Sequence, residues 1–153
     1  MPRAEEMAGV TRDEYDDYLR AFNEPDFDRL GGFFTEDAVF AHLPHLPRLE
    51  GRQAILDFYQ EIKANVREVV TPLETFFDEH GIAAEVSTRF DALRDWAEFP
   101  ATPLQRGDVY QMSGVVFYFT EGARFKLIRG VVRLTASVTR VNGEHTVLVG
   151  AAA

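Results

Sequence analysis

The sequence contains no cysteine. Disulfides, thiolate nucleophiles and thiolate metal ligands are thereby excluded. Basic residues are scarce: 16 Lys and Arg stand against 25 Asp and Glu, a formal net charge of −9. Such an acidic chain, with no Lys/Arg cluster, is repelled by phosphate backbones, so nucleic acid is not an expected partner. No apolar run reaches the ~18 residues of a membrane-spanning helix, and no membrane association is expected. The opening "MPRAEEMAGV" lacks the apolar core of a signal peptide, which makes cytoplasmic localisation the expectation. Internal repeats, low-complexity stretches and linkers are also missing.

Aromatic residues, by contrast, are plentiful. Thirteen Phe, five Tyr and one Trp in 153 residues exceed the needs of a minimal core. They suit either tight aromatic packing or an aromatic-lined cavity. The length fits one domain with a sizeable core.

Residues 1–10 read as a loose tail. Thr11 and Glu14 form a T-x-x-E capping box, followed by Tyr15, Tyr18, Leu19 and Phe22 at helical spacing. Pro25 ends that helix, and Asp26 can cap a short second one with Phe27, Leu30, Phe33 and Phe34 inward. Gly31 and Gly32 weaken it. "DAVFAHL" (37–43) predicts a strand, and "GRQAILDFYQEIKANV" from Gly51 predicts an amphipathic helix with Ile55, Phe58, Tyr59 and Ile62 as its stripe. Strands are then predicted over 67–77, 82–93, 108–119 and 124–135, with "DEHG" and "TEGA" as turns and a Pro-containing loop over 94–107. Asn142-Gly143 predicts a final strand or hairpin within 136–153. The folded domain thus spans 11–135. Helices before strands imply an α+β fold, with three N-terminal helices packed on one face of a curved antiparallel sheet.

On "YLRAFNEPDFDRLGGFFTEDAVFAHL", "LEGRQAILDFY" and "GVVFYFTEGARFKLIRGVVRL", the chain resembles the nuclear transport factor 2-like (cystatin-like) superfamily, and more narrowly its SnoaL-like proteins. The resemblance implies a cone-shaped sheet around a mostly apolar pocket. Beside ketosteroid isomerase, His42 falls at the catalytic base and Tyr18 at the oxyanion-hole tyrosine. Val115 falls where that family has a protonated Asp. Beside limonene epoxide hydrolase, Arg89 and Asp91 match its Arg-x-Asp strand, Phe40 and His42 fall at its water-holding Tyr and Asn, and Gly130 replaces its second Asp.

These positions define the expected site. His42 would act as general base, Asp91 would orient it, Arg89 would hold Asp91 ionised, and Tyr18 would donate to a carbonyl or epoxide oxygen. Phe40, Tyr59, Trp96, Val115, Phe117 and Gly130 would contact the ligand. Each residue also has a plain structural reading: His42 as a satisfied core histidine, Arg89–Asp91 as a structural pair, Tyr18 as core, Trp96 and Phe99 as a plug or a lid. His42 and His45 form an H-x-x-H, but two prolines break its geometry and no second ligand pair stands nearby. No metal and no cofactor are expected. The expected partner is a small hydrophobic molecule of polyketide-, steroid- or terpenoid-like kind, processed by cofactor-free isomerisation, cyclisation or dehydration. The alternatives are a non-catalytic binding or dimerisation module and a divergent epoxide hydrolase. A homodimer is expected through an outward sheet face. Tyr110, Met112, Val116 and Tyr118 are apolar enough to form it, with Val115 and Phe117 able to exchange roles with them.

Overall fold

The computed structural model describes residues 9–42 and 48–149, without the side chains of His42 and of residues 131–133. Helix α1 (Arg12–Asn23) starts at the expected capping box, where the Glu14 amide donates to the Thr11 hydroxyl at 3.1 Å. Its buried stripe is Tyr15, Tyr18, Leu19, Ala21 and Phe22. Helix α2 (Phe27–Gly31) opens where Asp26 accepts from the Arg29 amide. It stops at the Gly31-Gly32 pair, earlier than predicted. Phe33 therefore falls in a turn, and Phe34 opens strand β1 (Phe34–His42). A short strand β2 (Leu49–Glu50), not predicted, leads through Gly51 into helix α3 (Arg52–Asn65).

Long strands follow: β3 (Val66–Phe77), β4 (Gly81–Ala92), β5 (Val109–Glu121) and β6 (Arg124–Thr139), then β7 (His145–Val149). The sheet order is β2-β1-β6-β5-β4-β3, with β7 on the far part of β6. All pairings are antiparallel except β1 with β6. The β5–β6 register shifts at three points, each bending the ladder and curling the sheet about the helices. The chain is thus α+β with a mostly antiparallel open sheet and three helices, as predicted. Among the described residues, no helix is long and apolar enough to cross a membrane.

One core cluster joins α1, α2 and α3 to the sheet. Tyr18 packs edge-on against Phe125 with ring centres 5.0 Å apart, and Tyr59 against Phe22 at 5.1 Å. A second cluster gathers Val66, Phe90, Trp96, Phe99, Leu104, Tyr110 and Val138 under the loop between β4 and β5. Trp96 and Leu104 exchange two backbone hydrogen bonds, so the residues between them form a flap across this cluster. The flap is anchored by Asp108, which is fully buried. Asp108 accepts from the Gln105 amide (2.8 Å), the Val141 amide (3.1 Å) and Arg140 Nη1 (2.8 Å). Arg140 also donates to the Pro103 carbonyl and the Thr102 hydroxyl. Burial opposes the Asp108 charge, but these hydrogen bonds and the guanidinium outweigh it and hold the carboxyl below its ordinary pKa.

Strand β5 corrects the expected outward face. Tyr110, Met112, Val116 and Tyr118 point inward, against the helices and the cavity. The outward residues are Phe117 and Phe119, over whose rings lies the Arg129 guanidinium.

Candidate functional site

Between the two core clusters lies a cavity of about 190 Å³. Its wall is mostly aromatic and aliphatic, with contributions from α1, α3, the sheet and the flap. Of the predicted ligand contacts, Phe40, Tyr59, Val115 and Gly130 line it, as does Tyr18. Trp96 does not. It stands behind Phe99, ring centres 5.4 Å apart, and Phe99 with Pro100 and Ala101 forms the flap's share of the wall. Phe117 does not line it either, because it faces the outer surface.

The largest correction concerns β4. Its residues alternate strictly, and Val86, Thr88 and Phe90 face the cavity. Arg89 and Asp91 therefore face outward. They satisfy one another in a bidentate pair at 2.9 and 3.0 Å, with 53% and 37% of their side chains exposed. They orient nothing in the cavity. Strand β1 ends at His42, whose backbone pairs with Gly130 of the cavity wall. The His42 side chain, and His45, lie outside the described residues.

The residue that sequence reasoning missed is Glu68. It sits on β3 between Val66 and Val70, on the parity that points inward, and lines the cavity. Its Oε1 is buried and has no hydrogen-bond partner. A carboxylate in apolar surroundings loses its hydration, so its neutral form is favoured. Burial accordingly pushes Glu68 up to about 7, while Lys63 pulls it back down. Lys63, in the last turn of α3, is itself lowered to about 8 by burial, against the opposing pull of Glu68.

Strand β3 is an edge, and two side chains hold it at this point. Lys63 Nζ donates to the Glu68 carbonyl at 3.0 Å and lies 3.7 Å from the centre of the Phe22 ring. Asn23, at the end of α1, receives the Val70 amide at 2.8 Å and donates to the Val70 carbonyl at 2.9 Å. Both bonds tie the helix ends to the backbone on either side of Val69, and the Glu68 side chain is left aimed inward.

Tyr18, Tyr59 and Tyr118 line the cavity together, and Tyr15 packs against Tyr18 and Tyr118 without reaching the wall. Burial raises the pKa of Tyr18, Tyr59 and Tyr118 well above its ordinary value, and the neighbouring phenols interact with one another. Tyr15 is pushed up to about 12 by burial; its hydroxyl makes no hydrogen bond, although it lies near enough to Tyr118 for the two to interact. The Glu68 charge also raises Tyr18 and Tyr59, which line the same cavity. Phenols so shifted stay protonated at neutral pH and serve as hydrogen-bond donors, not as acids that give up their proton. The assembly is one titratable carboxyl poised near neutrality, with neutral donors beside it and apolar walls around it. Such a set can move a proton to or from a small apolar molecule while a phenol bonds its oxygen.

Residues 15–128 match the model of the SnoaL-like domain. Among solved structures, a candidate polyketide cyclase from Xanthomonas campestris pv. campestris is 22% identical over 85% of this chain and 93% of its own, with a TM-score of 0.70. A candidate polyketide cyclase from Pseudomonas putida KT2440 is 19% identical over 88% and 94%, at 0.67. An LEH-like epoxide hydrolase from M. tuberculosis is 15% identical over 84% of each chain, at 0.65. Likeness at these identities establishes the fold and leaves the chemistry to the site. No curated protein matches the chain.

Proposed function

The chain belongs to the SnoaL-like family, and on that premise we propose that it binds a small, mainly apolar molecule in the cavity and carries out cofactor-free proton transfer on it. Glu68 is the proton carrier, and Tyr18 and Tyr59 bond the substrate oxygen. The observation that carries this reading is the buried, unpartnered Glu68 carboxyl oxygen inside an apolar cavity. A base with a pKa near the working pH is both available and strong enough to act. The volume of about 190 Å³ exceeds the ~150 Å³ known to hold benzene. It suits a one- or two-ring ligand of polyketide- or terpenoid-like kind better than a four-ring steroid. His42 is the second base assigned to the site, on its place in the sequence pattern.

The test is proton exchange. Small cyclic ketones incubated with the protein in heavy water should take up deuterium beside the carbonyl. Glu68→Gln should slow that uptake by roughly 10²–10⁴-fold, the usual span for a lost general base. Uptake unchanged in Glu68→Gln but lost in His42→Ala would move the base to His42. A second reading is a binding module without catalysis. Val115 and Gly130, where the related enzymes place acids, favour it because neither brings a polar side chain to the wall. It predicts ligand binding with no exchange.

We also infer that two copies pair through the outer sheet face, where Phe76 is 65% exposed beside Phe117 and Phe119. Light scattering of Phe76→Glu, expected to give a monomer, checks this.

A further inference from the structure

Whatever enters the cavity must complement the charge in its wall. Among the described lining residues, Glu68 alone is charged when ionised, and none is Lys, Arg or His. Nine lining residues are aromatic, Tyr18, Phe22, Tyr59 and Phe99 among them. Aromatic faces carry negative potential and attract cations, and the attraction strengthens where water is excluded. The protein already uses this contact at the same wall, since the Lys63 ammonium stands over the ring of Phe22. An anion would meet the Glu68 carboxylate with no cation among the described lining residues to offset it. The surrounding chain, at net −9, adds a field of the same sign.

We propose that the cavity takes a small apolar amine, bound as its ammonium ion against the Glu68 carboxylate, with its hydrocarbon part among the aromatic rings. This rests on the reading of Glu68 as the group that faces the ligand, and it adds the ligand's charge. On binding, a protonated Glu68 gives up its proton to the incoming free amine or, when the amine arrives as ammonium, to solvent. The ion pair forms with protons in balance. Among the described residues, the charged and titratable groups coupled to Glu68 are Lys63 and Tyr59 of α3 and Tyr18 of α1. The phenols stay neutral. Lys63 competes for the same carboxylate and weakens the preference without reversing it, because its Nζ is committed to the Glu68 carbonyl and to Phe22.

Three ligands built on one ring separate the possibilities by calorimetry at about pH 8, where an alkylamine is protonated and Glu68 largely ionised. They are N,N-dimethylcyclohexylamine, cyclohexyl methyl ketone and cyclohexanecarboxylate. The amine is expected to bind at least about tenfold tighter than the ketone, and the carboxylate weakest. In Glu68→Gln, with folding checked by circular dichroism, the amine's advantage should vanish. A ketone or carboxylate that binds as tightly as the amine to the wild-type protein overturns the proposal and leaves the proton-transfer reading standing. Failure of all three to bind overturns both.

Discussion

Lys63 donates to the backbone carbonyl of Glu68 at 3.0 Å, so the residue that tunes the cavity's carboxyl also fixes the strand that carries it. Replacing Lys63 by Met removes the nearest positive charge. The Glu68 pKa should then rise above about 7. Carbon-13 NMR of labelled glutamate would read the titration directly. A midpoint that stays put or falls would show that Lys63 does not tune the carboxyl. Lys63→Arg should restore most of the wild-type midpoint.

Glu68 carries a stability cost that depends on pH. Burial pushes its carboxyl up to about 7 in the folded chain from an ordinary value of 4.5. The folded state therefore holds this proton more tightly than the unfolded state. Stability from this group is complete below the ordinary value, falls as pH rises through the interval, and is flat above the folded value. Glu68→Gln removes that dependence. At about pH 8 the variant should be more stable than wild type by about 3 kcal/mol, and at about pH 4 nearly equal to it. Urea denaturation at the two pH values measures the difference, and equal gains at both would contradict the raised pKa.

The flap depends on Asp108 and Arg140, 32 positions apart and joined at 2.8 Å. Arg140→Met leaves a fully buried carboxylate without its counter-ion. Loss of one partner from a buried pair costs about 3–5 kcal/mol. Asp108 has a depressed pKa, so its contribution is present above the ordinary carboxylate value and fades as pH falls through the lower, folded value. The thermal midpoint of Arg140→Met should drop, with Trp96 emission shifting red as the flap loosens. At strongly acid pH the variant and wild type should converge.

Arg89 and Asp91 offer the opposite expectation. Their pair lies on the outer face and is well exposed. Exposed ion pairs contribute about 0–1 kcal/mol. Arg89→Ala with Asp91→Ala should leave ligand binding and any exchange activity within about twofold of wild type. A loss of activity comparable to that of Glu68→Gln would return these residues to the site.

Much of this architecture could be read from local chemistry. The capping box at Thr11, the Asp26 cap, the turn at Asp78 and the Asn142-Gly143 hairpin all rest on short-range hydrogen bonding, and all are present. Strand parity was harder. On β4 it was legible: Ile82, Ala84, Val86, Phe90 and Ala92 share one side, while Glu85, Ser87, Arg89 and Asp91 share the other. The resemblance to an Arg-x-Asp motif outweighed that pattern and put the pair inside. On β5 both parities are apolar, so alternation could not choose a face until the helices were in place. Glu68 had one available signal, an acid flanked on its own parity by Val66 and Val70. Only the packing of α1 and α3 against β3 shows that this parity is buried. The Asp108–Arg140 pin left no local trace, because its partners meet only when β6 returns past the loop.

Asn23 bears on how the molecule behaves in a crowded solution. Strand β3 ends the sheet, and a bare terminal strand offers its amides and carbonyls to any extended chain that passes. At Val70 those groups are already taken by the Asn23 carboxamide, which has a donor and an acceptor spaced like one peptide unit. One side chain thus stands in for the missing neighbouring strand. Its removal would expose adhesive backbone beside the cavity and turn a quiet border into a place where chains stick to one another.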